Sequence, residues 1–144
     1  MTTTYLVGVD GSDAGRRAAA FAAERAEASG AQVLVAYVIE WSPYSFNTPE
    51  ENEVRHKRRE EELERARTHV MEPQLAELRA AGLTVEGVVR HGHPAEVLCE
   101  LAKERGAAQI FIGRRGLSRI GALLFGSVAG SLVQISPVPV TVVP

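Results

Sequence analysis

One cysteine in 144 residues rules out an internal disulfide, and a reducing compartment is the simpler expectation. No uninterrupted apolar run comes near the ~18 residues of a membrane span. The opening residues, MTTTYLVGVDGSDAG, have neither the basic start nor the apolar stretch of a secretory signal. A cytoplasmic chain without direct membrane insertion is therefore expected. Charge of one sign is lacking too: sixteen Lys and Arg stand against eighteen Asp and Glu, a formal net charge of −2. A strongly basic face does not follow from that balance, so nucleic acid is not an expected partner. Lysine is nearly absent, at Lys57 and Lys103 only. What remains is ordinary for a globular chain: 45% hydrophobic and 24% charged residues. A chain of this length buries roughly 68–70% of its unfolded surface, so one domain spanning 1–144 is expected without disulfides or structural metal. The thirteen glycines then ask for an explanation by position.

Five segments rich in Val, Ile and aromatics predict strands: Tyr5 to Val9, Gln32 to Val38, Thr84 to Arg90, Gln109 to Ile112 and Val138 to Val143. Four are nearly continuous apolar runs, as parallel strands covered on both faces require. The third, TVEGVVR, is more polar and belongs nearer an edge. Between them the pattern is helical. Asp13 to Ser29 is Ala-rich, with Ala18, Phe21, Ala22 and Ala28 on one side, a start capped by Ser12 or Asp13, and Gly30 after it. Trp41 to Pro49 reads as a loop. Glu50 to Ala81 reads as a long helix that is charged at first, with Leu63, Ala66, Val70, Met71, Leu75 and Leu78 at helical spacing later. Pro73 should kink or restart it. A helix from Pro94 has the stripe Val97, Leu98, Leu101 and Ala102; another from Gly126-Ser127 carries Val128, Ala129, Leu132 and Val133. Strand and helix alternate throughout, which predicts an open, mostly parallel sheet with helices on both faces.

Ligands of such sheets bind beyond the carboxyl ends of the strands, where strand order reverses. Two strand ends carry glycine clusters: Val9-Asp10-Gly11-Ser12-Asp13 and Ile112-Gly113-Arg114-Arg115-Gly116. Gly126-Ser127 opens the last helix, where free amides and the positive dipole end suit a phosphate. Taken singly, each feature is equally a turn or a helix cap, Ser127 included. GALLFGS (121–127) has P-loop glycine spacing but Ser where Lys is required, and no G-x-G-x-x-G follows the first strand. A receiver domain needs an acceptor Asp at the end of strand three and a Lys at strand five; Arg90-His91-Gly92 and the two helical lysines supply neither.

The run Gly113-x2-Gly116-x9-Gly126-Ser127 resembles the signature of the ATP-binding members of the universal stress protein family. VGVDGSDAG resembles the family's first strand and turn, and GRRGLSRIGALLFGSVAGSLVQISPVPVTVVP resembles its C-terminal third. The resemblance implies a three-layer α/β/α fold with a five-stranded parallel sheet of order 3-2-1-4-5 and a crevice between strands one and four. It implies that Asp10 takes the ribose hydroxyls, with Val9 lining the base pocket and Val38 meeting adenine through its backbone. Ile112 closes the fourth strand there, and Gly113, Arg114, Gly116, Gly126, Ser127 and Val128 wrap the phosphates of ATP with Mg²⁺ or Mn²⁺. It also implies a homodimer through antiparallel pairing of the last strand, 138–143. The prolines at 137, 139 and 144 should restrict which edge amides can donate.

Other residues have plainer readings. Cys99 reads as a buried, inert thiol. His91 and His93 lack the neighbours of a metal site and read as a loop histidine and a helix cap; His56 and His69 read as solvated. The aromatic loop 41–49 and the apolar connection Ile120 to Phe125 serve equally as packing or as contact surfaces. The expected function is an ATP-binding regulatory dimer that passes nucleotide state to a target protein, a transporter for instance. A slow ATPase or phosphotransferase and a nucleotide-free interaction module are the alternatives. No residue occupies an identifiable base position for hydrolysis, so no catalytic residue is assigned.

Overall fold

Where consecutive residues of a strand are all apolar, both faces of the sheet must be covered. In β1 (Thr4–Val9) Leu6 enters one core and Val7 the other; in β2 (Gln32–Glu40) Leu34 and Ala36 alternate with Val33 and Val35 in the same way. The computed structural model describes residues 2–40, 49–115 and 126–144. With β3 (Val85–Gly92), β4 (Gln109–Gly113) and β5 (Val140–Val143), the strands form a parallel sheet in the order β3-β2-β1-β4-β5. Helices cover both faces, the α/β/α arrangement that the alternation of segments predicts. On one side lie α1 (Asp13–Ser29) and α3 (Glu72–Ala80); on the other lie α4 (Pro94–Arg105) and α5 (Ser127–Ile135).

The Ala-rich face lets α1 settle against the sheet: Ala18, Ala19, Ala22 and Ala26 are fully buried. Ala28 does not join them and is exposed, because at about 100° per residue it points away from Ala26. Val133 also leaves the expected stripe. It is 53% exposed, and α5 buries Ala129 and Leu132 instead.

The long helix expected over 50–81 is three pieces: α2 (Pro49–Ala66), a π-helical turn (Arg67–Met71) and α3. Pro73 has no N–H to return to the preceding turn. That turn widens, and the Glu72 N–H reaches the Arg67 carbonyl, one residue beyond the usual partner. Met71 is thereby brought into the core at 4% exposure.

β3 lies at an edge, as its polar sequence suggests, and runs two residues past Arg90. His91 is thus a strand residue aligned with Ile39, and its Nε2 lies 3.2 Å from a Glu62 carboxylate oxygen of α2. That pairing replaces the loop reading of His91. At the other edge β5 begins at Val140 rather than Val138. The Val138 backbone is committed to Ser136: its N–H donates to the Ser136 hydroxyl at 3.2 Å, and that hydroxyl donates to the Val138 carbonyl at 2.7 Å. Among the described residues no helix is long and apolar enough to cross a membrane.

Candidate functional site

The strand order reverses between β1 and β4, and in a right-handed α/β sheet that reversal leaves a crevice at the strands' carboxyl ends. A cleft of about 270 Å³ opens there. Its floor is Gly8 and Val9 of β1, Asp10 just after it, and Ile112 and Gly113 of β4; β2 adds the stretch from Ala36 to Glu40. Pro94 and Leu98 of α4 close one wall, and Gly126 to Ala129 at the start of α5 close another.

Of the residues singled out in the sequence, Val9, Asp10, Val38, Ile112, Gly113, Gly126, Ser127 and Val128 all border this cleft. Val9 is buried, with its side chain in the core beneath α1. Arg114 is not part of the lining; Arg115 is. The backbone of Arg114 acts instead as a brace, its N–H donating to the Val143 carbonyl and its carbonyl accepting from the Gly126 N–H, both at 2.7 Å. Gly116, the aromatic residues Trp41, Tyr44 and Phe46 of the loop expected over 41–49, and the expected connection Ile120 to Phe125 lie outside the described residues.

Gly113 is small for a packing reason. A Cβ there would stand 2.9 Å from the backbone of Ala14 in α1, so the end of β4 and the start of α1 meet only because the side chain is absent. On the opposite lip, Ser12 is the N-cap of α1. Its hydroxyl accepts from the Gly15 N–H at 3.1 Å and donates to Asp10, and its own N–H donates to Asp10 Oδ1 at 2.9 Å. Of the two cap candidates the structure thus takes Ser12. Asp13 sits in the first turn, paired with Arg16 at the surface.

At α5 the frame is shifted by one residue. Gly126 is the N-cap, and having no side chain it forms no cap bond; Ser127 is the first helical residue. Ser127 is exposed at the cleft, not a cap. The first amides of a helix have no partner within it, and at α5 the residues that carry them, Ser127 and Val128, line the cleft. The Gly126 amide is bonded to the Arg114 carbonyl.

Sequence reasoning missed Gly8, Gly15, Ala36, Tyr37, Ile39, Glu40, Pro94, Leu98 and Ala129 as cleft residues. One signal was available for some of them. In β2, Ala36, Val38 and Glu40 alternate onto the α4 side, and the first turns of α4 must face that same strand end. Burial pushes the Tyr37 phenol above its ordinary value, and the negative charges of Asp10 and Glu62 push it further. Among the described residues the lining thus combines an apolar slot, carboxylates at Asp10 and Glu40, the guanidinium-bearing Arg115 and a helix start whose glycine N-cap makes no side-chain bond.

Two plainer readings have outcomes here. Cys99 is buried at 8% exposure, and burial pushes its thiol up, which leaves little thiolate for chemistry. His93 does occupy the N-cap of α4, but its imidazole forms no cap bond. Among the described residues no group of three or more His, Cys, Asp or Glu is placed to hold a metal ion.

Comparison with known proteins agrees with this architecture. The model of the universal stress protein family matches residues 1–144. A Thermus aquaticus protein, "Universal stress protein in QAH/OAS sulfhydrylase 3'region", is 35% identical over 149 residues, covering 99% of each chain. Universal stress protein UspA from Lactobacillus plantarum superposes with a TM-score of 0.87 at 24% identity, covering 99% of this chain and 97% of the other. A universal stress protein solved in complex with cAMP is 28% identical, with a TM-score of 0.71 over 99% of this chain and 97% of that one. From its first strand to its last, the chain belongs to the universal stress protein family.

Proposed function

We propose that the cleft binds an adenine nucleotide, ATP with Mg²⁺ or Mn²⁺, and that the protein is a regulatory homodimer that passes nucleotide state to a target protein. The observation that carries the reading is the α5 start: a glycine N-cap without a side-chain cap bond, followed by Ser127 and Val128 in the cleft lining, where the helix dipole favours an anion. The rest of the lining suits the remaining parts of a nucleotide. Ala36, Val38, Leu98 and Ile112 offer a flat base apolar walls. Asp10 offers the sugar hydroxyls a carboxylate acceptor, and Arg115 adds positive charge on the phosphate side. A homologue with bound cAMP supports a nucleotide as the ligand class. No described cluster of side chains cages a metal, so a divalent ion would ride chiefly on phosphate oxygens, as Mg²⁺ usually does.

The dimer reading is supported by the contrast between the two sheet edges. β3 is guarded by charge: Arg90 pairs with Glu104 at 3.0 Å, and Arg105 with Glu86. β5 is apolar. The Ile110 and Arg114 N–H groups donate to the Pro139 and Val143 carbonyls, so odd-numbered residues face β4 and the Val140 and Val142 amides point outward. Pro139 therefore shortens the ladder to β4 and does not filter the free edge; that role falls to Pro144. Val142→Pro removes one outward donor without touching the β4 ladder. Sedimentation should show a dimer converted to monomer, and an unchanged dimer would overturn the edge-pairing reading.

Calorimetric titration with ATP, ADP and AMP in the presence of Mg²⁺ tests the nucleotide reading. Saturable one-site binding is expected. Absence of binding to all three would overturn it.

A further inference from the structure

We propose that Ser12 is the positioning residue for the Asp10 carboxylate, fixing the orientation in which Asp10 meets the sugar hydroxyls of a bound nucleotide. The inference rests on the nucleotide reading above and adds a residue to it.

Asp10 stands at the end of β1, where the chain leaves the sheet and turns into α1. An aspartate side chain has three staggered wells about its first torsion. Ser12 holds Asp10 in one of them with two donors. Its N–H donates to Asp10 Oδ1 at 2.9 Å, and its hydroxyl donates to the same oxygen. The hydroxyl is fixed in turn because it accepts from the Gly15 N–H at 3.1 Å. A serine hydroxyl has one proton to give and two lone pairs; with its proton directed to Asp10, it takes the helix amide on a lone pair. Ser12 is 8% exposed, so water does not readily displace either bond. Gly15 completes the cradle, since a Cβ there would lie 3.2 Å from Asp10 Oδ1 and crowd the carboxylate. One side chain thus serves two neighbours: it caps α1 and it aims Asp10.

These two roles separate by substitution. Ser12→Asp keeps an acceptor suited to the cap but has no side-chain proton for Asp10, leaving the backbone N–H as the one donor. Ser12→Gly removes both side-chain functions and likewise keeps only that N–H, and Ser12→Thr keeps both. Each protein is titrated calorimetrically with Mg²⁺-ATP and with Mg²⁺-2′,3′-dideoxy-ATP, which lacks the sugar hydroxyls, and its thermal midpoint is recorded. The wild type is expected to prefer ATP by about tenfold or more, the size of a hydrogen bond to a charged group. Ser12→Asp and Ser12→Gly should lose that preference through weaker ATP binding, with dideoxy-ATP affinity held, and Ser12→Thr should restore it. If Ser12→Asp keeps the wild-type preference, Ser12 is a helix cap alone and the proposal falls while nucleotide binding stands. If the wild type binds neither nucleotide, the nucleotide reading fails and the proposal with it. If it binds both equally, nucleotide binding stands, but Asp10 has no role at the sugar for Ser12 to support.

Discussion

Two Gly-Ser dipeptides flank the same cleft, Gly126-Ser127 in its wall and Gly11-Ser12 just past Asp10 of its floor, and their helices use them differently. At Gly11-Ser12 the serine is the N-cap, and its hydroxyl bonds the Gly15 amide inside its own helix. At Gly126-Ser127 the glycine is the N-cap, with no side chain to bond the first amides, and the serine is already helical. The first lip is closed upon itself and holds Asp10 in the cleft lining. The second is tied down by backbone, Gly126 to Arg114 at 2.7 Å, with Ser127 and Val128 next in the lining. A shift of one residue in where the helix begins separates a site suited to a cation or hydroxyl from one suited to an anion.

The contrast can be broken in order of effect. Gly113→Val would force a side chain into the Ala14 backbone that joins the lips; overpacking of this kind costs about 3 kcal/mol. A large fall in the denaturation midpoint is expected, with binding lost only as a consequence. Ser127→Pro is gentler. Gly126 sits at φ −68° and ψ 165°, a conformation that accepts a following proline, and proline suits the first helical position. This variant should stay folded yet lose its amide and hydroxyl donors, weakening ATP by about tenfold or more, ~1.4 kcal/mol. Asp13→Pro makes the matching change on the closed lip. Ser12 has ψ 162°, and the exposed Asp13–Arg16 pair contributes little. Nucleotide affinity should stay within about twofold, well under 1 kcal/mol. The smallest effect concerns Tyr37 beside the first lip. Its phenol holds its proton more tightly folded than unfolded, so its contribution to stability is intact below pH ~10 and fades as pH rises through the raised folded value. Tyr37→Phe should remove that alkaline loss in pH-dependent denaturation curves.

Much of this was legible before any coordinates. Continuous apolar runs of four to six residues can satisfy themselves only between two helix layers, so the strands and their parallel order followed from pattern and family resemblance. The cleft's floor was legible for the same reason, because glycines placed just after strands mark where a chain turns away from a sheet. The helix frame at α5 was not. Gly126 and Ser127 each suit a cap, and the choice is made by the long-range Arg114 bond, which no local pattern encodes. The exchange of Arg114 for Arg115 has the same origin: the Val143 and Gly126 contacts fix Arg114 through its backbone. The reason for Gly113 lay equally out of reach, since a glycine before a loop looks the same whether it clears room for a ligand or for Ala14. Local chemistry also hid the π-turn. Pro73 announced a break, but the widened turn before it depends on burying Met71.

The most direct test of the account follows amide resonances of the ¹⁵N-labelled protein during separate titrations with AMP and with adenosine, which differ only by the phosphate. The account predicts that the difference between the two titrations concentrates at Ser127 and Val128 and leaves Asp13 and Ala14 nearly unmoved. Phosphate-dependent shifts at Asp13 and Ala14 instead, with Ser127 and Val128 silent, would contradict it.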